Sequence, residues 1–178
     1  MKKAKVLKTQ RLTLRPFKKK DALAIYKGWG NDPEVSKFMT WNTNESVEDV
    51  KKFVYSVLNN PEGRKFNWIV ILKKTKKPIG SLGISQIDYK KMSCDIGYCY
   101  NKEYWNKGYA TEALKRIIKY LFEEKSFQTI TAYHHVLNTA SGSVMKKCGM
   151  KYQKTENVYI KIKDTNFLSH FYKITNKD

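Results

Sequence analysis

The residues best spaced for chemistry lie in Tyr104–Leu114, Tyr-Trp-Asn-Lys-Gly-Tyr-Ala-Thr-Glu-Ala-Leu. A strand-like run, Cys94–Tyr100, precedes it. A helical pattern follows, with Ala110, Ala113, Leu114, Ile117, Ile118, Leu121 and Phe122 on one face. Strand, glycine turn and helix in that order make a cradle for an anion. Gly108 allows a tight turn and close approach of a ligand, and the first N–H groups of the helix have no acceptor within it. A phosphate is the anion this turn suits best. Other chemistries find less support. There is no Gly-x-Ser-x-Gly elbow for a serine hydrolase. Cys94, Cys99 and Cys148 match no zinc spacing, and His134 and His135 are adjacent rather than spaced as a ligand pair. Three reduced thiols and no metal are expected.

The elements that position this turn can be read along the chain. Gln10–Pro16 alternates polar and apolar residues and reads as a strand. Asp21 can cap a helix that ends near Gly28–Gly30, and Asn31–Glu34 reads as a turn or a fresh helix start. Ser46–Asp49 resembles a capping box opening a helix through Leu58, which Asn59–Gly63 ends. Phe66–Leu72, Ile79–Ile87 and Met92–Tyr100 read as strands, with a lysine-rich hairpin loop at 73–78. Gln128–His135 is another strand, Asn138–Cys148 a short helix stopping at Gly149, and Lys151–Lys161 and Asn166–Thr175 two final strands. Gly97, inside its strand, predicts a bulge or a close backbone approach. The order β-α-α-β-β-β-α-β-α-β-β, without repeat or low-complexity linker, predicts one mixed α/β domain over 1–178.

The net charge of +19 raises the possibility of a nucleic-acid partner. Nearly all of the positive charge is lysine, spread along the chain; the arginines are Arg11, Arg15, Arg64 and Arg116. Base-edge and bidentate phosphate readout leans on arginine, so a solvated lysine-rich surface is the simpler account. Nucleic acid is expected at most indirectly, through the ribosome. No apolar run is long enough to span a membrane, and the basic N-terminus is not followed by the apolar stretch of a signal peptide. A cytoplasmic protein, monomeric or homodimeric, is the expectation.

Four blocks carry a resemblance to the GNAT superfamily of acetyl-CoA-dependent N-acetyltransferases, and within it to the ribosomal-protein-alanine acetyltransferase-like (RimJ/RimL-type) branch. Thr9–Phe17 resembles the first strand of that branch and Asp95–Tyr98 its fourth. Trp105–Ala113 resembles its coenzyme loop. Asn138–Ser141, with Val144 and Lys147–Met150, resembles its last helix. The resemblance implies a central mixed sheet of about seven strands with four helices, and splayed fourth and fifth strands between which the pantetheine arm inserts. One departure stands at Trp105, where Gln or Arg is common. It implies that backbone N–H groups around Gly108 hold the pyrophosphate.

The resemblance also implies the site. Trp105, Asn106, Lys107, Gly108, Tyr109, Ala110 and Thr111 would cradle the coenzyme. Backbone groups of Tyr98, Cys99 and Tyr100 would pair with pantetheine, and Asn138 and Ser141 would reach its arm. Acetyl transfer to an amine requires loss of an amine proton, a stabilised oxyanion and a protonated thiolate. Asp95 is the first candidate base, with His134 or His135 as alternatives. Ser141 is the candidate proton donor. Phe38 and Trp41, in the Asp32–Ser46 segment, could line the acceptor pocket, with Asp32, Glu34 and Glu45 drawing in a cationic amine. The acceptor is expected to be a primary amine on a protein N-terminus or a small molecule. A non-catalytic acyl-CoA sensor or a basic RNA-binding module on the same fold is the alternative.

Overall fold

The structure, a computed structural model, describes residues 3–177; Met1, Lys2 and Asp178 lie outside the described residues. Eight strands form one sheet: β1 (Leu7–Lys8), β2 (Leu12–Pro16), β3 (Asn67–Leu72), β4 (Pro78–Asp88), β5 (Ser93–Tyr100), β6 (Thr129–His135), β7 (Lys151–Ile160) and β8 (Thr165–Thr175). Their spatial order is β1-β2-β3-β4-β5-β6-β8-β7. Every neighbouring pair is antiparallel except β5 and β6.

Six α-helices accompany the sheet: α1 (Asp21–Ile25), α2 (Pro33–Ser36), α3 (Val47–Asn59), α4 (Pro61–Phe66), α5 (Tyr109–Lys125) and α6 (Thr139–Lys147). The apolar stripe expected on α5 packs on one sheet face. Ala113, Leu114, Ile117 and Leu121 are fully buried, in a cluster with Ile96, Tyr100, Ile130 and Ala132. The other face carries α1 and α3, where Ile25, Trp29, Val50 and Val54 close over Ile69. Along β3 the side chains alternate between these two cores, Trp68, Val70 and Leu72 in the first and Ile69 and Ile71 in the second.

Several elements differ from the sequence expectation. Leu7–Lys8 adds an eighth, two-residue strand beside Thr13–Leu14. Asn31–Glu34, expected as a turn or a fresh helix start, opens the short helix α2, and Asn59–Gly63, expected only to end α3, opens α4. Each starts with proline at its first position, and the preceding side chain caps it: Asp32 accepts from Glu34 N–H and Asn60 from Gly63 N–H, both at 2.8 Å. After α1 the helical segment ends within Gly28–Gly30 as expected, but its last part is a π-helical turn, Tyr26–Gly30, which buries Trp29. The capping box at Ser46 and Asp49 forms as expected.

The β5/β6 contact sets up everything that follows. The two strands pair in register only at Ser93–Thr129, Cys94–Ile130 and Asp95–Thr131. Beyond Asp95, β5 continues against β4 and β6 against β8, so the sheet splits between them. The strand irregularity sits on β4, between Ile84 and Ile87, opposite the Cys94–Ile96 stretch. It is not at Gly97, where the glycine alone had suggested a bulge. An extra residue on one strand increases local twist, and this one lies beside the point where β5 leaves β6.

Candidate active site

A cavity of about 490 Å³ runs along the split, lined from one sheet face by Asp95, Gly97 and Cys99 and from the other by Tyr98, Asn138 and Ser141. Asp95 is the last β5 residue paired with β6. Its carboxylate accepts a hydrogen bond from the Thr131 hydroxyl directly across the pair, which fixes it at the fork of the split. Two residues on, Gly97 leaves open space: a Cβ built there meets nothing within 4 Å. The edge of β5 beyond Asp95, no longer covered by β6, presents backbone N–H and C=O groups to the cavity.

The alternation of β5 sends Tyr98 to the α6 side. Its hydroxyl lies 3.0 Å from Ser141 Oγ and 3.1 Å from the Ser141 carbonyl oxygen. Burial raises the Tyr98 phenol well above its ordinary range, against the opposing effect of the Ser141 hydrogen bond. Tyr98 therefore stays protonated at neutral pH. Asn138 caps α6, its side-chain oxygen accepting from Ser141 N–H at 3.3 Å. Asn138 also lines the cavity. On the other side of β5, the Cys99 thiol sits 3.3 Å from Ser81 Oγ, and burial raises its pKa.

The two histidines at the end of β6 part company. His134 points to the α6 side and is buried. Its Nδ1 lies 2.8 Å from the His135 carbonyl, its ring stacks on Tyr172, and its Nε2 has no partner. A Cβ on Gly142 would come within 2.6 Å of that Nε2, so α6 packs closely against the ring, which also lines the cavity. Desolvation by burial lowers its pKa. His135 is more open and faces the acceptor side. It stacks on Phe38 with centroids 5.1 Å apart and meets Phe167 edge-on. Its Nδ1 accepts from Leu137 N–H at 3.1 Å. Burial, then the charge of Lys37, lowers its pKa.

The coenzyme loop is held from outside. Asn106 and Gly108 both adopt left-handed backbone, with φ of 57° and 78°, and Gly108 is the N-cap of α5. The first hydrogen bond of the helix runs from Glu112 N–H to Gly108 O. The N–H groups of Tyr109, Ala110 and Thr111 thus have no acceptor within the helix. The Trp105 indole donates to Tyr100 O at 2.8 Å, so it ties the loop to the end of β5. Lys107 Nζ donates to Glu103 O.

A clamp from the β1–β2 turn, which the sequence did not connect to the loop, completes the cradle. Arg11 donates to Lys107 O at 3.0 Å, pairs with Glu112 at 2.6 Å and lies over the Tyr109 ring. Thr9 Oγ1 and Arg11 N–H also donate to Glu112. Burial acts to raise the Glu112 pKa, but these hydrogen bonds outweigh it and hold the carboxyl below its usual 4.5. Both motifs lie in blocks already singled out, yet nothing in their spacing joins residue 9 to residue 112.

The acceptor side of the cavity is aromatic. Phe38 and Trp41, the two residues proposed from the sequence for an acceptor pocket, line the cavity together with Trp29, Phe53, Tyr133 and Phe167. Phe167 comes from the β7–β8 hairpin, whose tip folds over the 36–42 segment: Lys163 Nζ donates to Ser36 O at 2.9 Å and Asn42 Nδ2 to Ile162 O at 3.2 Å. The acidic residues expected to draw in an amine are elsewhere. Asp32 caps α2, Glu34 pairs with Lys102, and neither they nor Glu45 line the cavity. The cap of α2 uses the first carboxylate and a long-range ion pair the second. Asp95 is the acid that lines it.

Known proteins resemble this chain in sequence and in fold. Residues 11–151 match the family described as acetyltransferase (GNAT) domain. The chain is 34% identical over 143 residues to a Bacillus subtilis (strain 168) protein named uncharacterized N-acetyltransferase YnaD, covering 80% of this chain and 81% of that one. It is 32% identical over 136 residues to uncharacterized N-acetyltransferase p20 of Bacillus licheniformis, covering 76% of each. The crystal structure of a GNAT-family acetyltransferase from Bacillus anthracis superposes with a TM-score of 0.86 at 28% identity, covering 98% of this chain and all of the other. With the split sheet, the glycine-turned helix and a family match spanning both, the chain belongs to the GNAT acetyltransferase family.

Proposed function

We propose that the protein transfers the acetyl group of acetyl-CoA directly to a primary amine. The observation that carries this reading is the continuity of one cavity through the β5/β6 split, with Asp95 on one side and Ser141 on the other. The chain fits the coenzyme in three ways. The α5 N-terminus offers N–H groups without acceptors in the helix, the uncovered edge of β5 suits the amides of an extended arm, and Gly97 leaves the room. When bound, acetyl-CoA supplies the activated acetyl thioester and a thiolate leaving group.

The residues then divide the proton work. Tyr109, Ala110 and Thr111 N–H groups hold pyrophosphate oxygens, with Lys107 adding charge. Asn138 orients the arm. Asp95, fixed by Thr131, accepts the proton that the amine loses as its nitrogen bonds to the acetyl carbon. A backbone N–H on the free edge of β5 stabilises the carbonyl oxygen as charge builds there. Ser141 gives a proton to the sulfur as the C–S bond breaks, and Tyr98 orients Ser141 and restores that proton. His135 is the second candidate for the base, ahead of His134, whose ring lines the cavity but is more buried and packed against α6. Cys99, with its pKa raised by burial, is a poor nucleophile, which favours direct transfer over an acetyl-cysteine.

Release of coenzyme A thiol across an amine and peptide panel tests the reaction, with the acetyl-CoA thermal shift as a binding control. Thiol release that depends on an amine supports the reading. A thermal shift without release from any amine overturns it.

A further inference from the structure

The acceptor half of the cavity carries an unusual balance of charge. Its walls are aromatic: Trp29, Phe38, Trp41, Phe53, Tyr133 and Phe167. Asp95, at the fork, is the charged side chain among the residues lining the cavity. Cations stand behind the walls. Lys37 Nζ is 5.3 Å from the Phe38 ring centroid and Lys163 Nζ 5.9 Å from that of Phe167. Lys163 is partly desolvated, with Nζ held on Ser36 O. The net charge of the chain is +19. An acceptor with one ammonium group can place it against Asp95 and bury an apolar body among the rings. A second ammonium on that body would find no second carboxylate in the walls and would be repelled by Lys37 and Lys163, which already stand over the Phe38 and Phe167 rings.

We infer that the acceptor is a small monocationic amine on an apolar or aryl body, and not a polyamine, an aminoglycoside-like polycation or a basic peptide. This rests on the acetyl-transfer reading above and narrows it.

The test uses the full chain with acetyl-CoA and a matched pair of acceptors: 2-phenylethylamine, and the same compound with an aminomethyl group on the ring. Spermidine and a lysine-rich peptide with a free N-terminus complete the panel. Thiol release is expected with kcat/KM at least about tenfold higher for the monoamine than for its diamine partner, a difference of about 1.4 kcal/mol. Trp41→Glu, or Phe167→Glu on the opposite wall, supplies the missing carboxylate and should narrow that ratio by about tenfold. Melting curves confirm which of the two variants is folded. A preference for the diamine, spermidine or the peptide overturns the inference and leaves acetyl transfer standing, as does an unchanged ratio in a folded variant. Absence of thiol release with every amine tested, while acetyl-CoA still raises the melting temperature, overturns acetyl transfer itself and this inference with it.

Discussion

The Tyr98 hydroxyl, from β5, lies 3.0 Å from Ser141 Oγ, at the start of α6. This contact joins β5, one edge of the split, to α6, and both residues line the cavity. A serine alone is a weak acid; one backed by a buried phenol has a proton source behind it. Ser141→Ala should lower kcat by about a hundredfold, the lower end for loss of a general acid, with little change in acetyl-CoA affinity. Tyr98→Phe should lower kcat less, and the double variant should be no worse than Ser141→Ala, because Tyr98 acts through Ser141. Additive losses in the cycle would separate the two.

Asp95 and His135 both face the acceptor side, and only one can be the base that matters most. Asp95→Asn is expected to reduce kcat/KM by about a hundredfold or more and to keep the acetyl-CoA thermal shift. His135→Gln should cost far less. The reverse ranking would move the base to His135. Burial and Lys37 lower the His135 pKa, so the imidazole would be neutral and able to accept a proton from a lower pH than an ordinary histidine. In that case activity would persist further to the acid side.

Gly108 combines a φ of 78° with a place at the helix N-cap. A side chain there strains the backbone by about 1–2 kcal/mol, and its Cβ would sit 3.4 Å from an Arg11 guanidinium nitrogen. Gly108→Val should leave the fold in place while acetyl-CoA no longer raises the melting temperature. Retained affinity would remove the turn from the coenzyme site.

Glu112 ties the β1–β2 turn to the coenzyme loop, and its stabilisation has a definite pH sense. Its folded pKa lies below the usual 4.5. The stabilisation is therefore complete above that value and is lost as pH falls through the folded pKa. Glu112→Gln should destabilise the protein by about 1 kcal/mol near neutral pH, because Arg11 is half-exposed and solvent screens the pair. The difference from wild type should shrink in urea titrations performed well below pH 4.5.

Gly142 lies under the His134 ring, whose Nε2 would be 2.6 Å from an added Cβ. Gly142→Ala should destabilise by about 1–3 kcal/mol through overpacking, read as a lowered denaturant midpoint. Pairing it with His134→Ala should relieve most of that loss. If it does not, α6 is held off the sheet by something other than this ring.

The sequence alone determined what local physics controls. The 3.6-residue stripe of α5, the alternation of β2, the Ser46–Asp49 capping box and the glycine before α5 each depend on residues a few positions apart, and each is found as the sequence predicts. The same is true of the order of the blocks around Asp95, Gly108 and Ser141, which carried the family. The π-helical turn at Trp29 and the short helices α2 and α4 were less legible, because two-residue caps and glycines fit a turn equally well. Tertiary structure alone decided which side chains share a space. It placed Thr9 and Arg11 on Glu112, Phe38 on His135 and the β7–β8 tip over residues 36–42. It also took Glu34 away to Lys102 and turned His134 and His135 to opposite faces of one strand. These contacts join residues far apart in the chain through a sheet whose pairing fails after Asp95, and neither periodicity nor spacing records where a sheet opens.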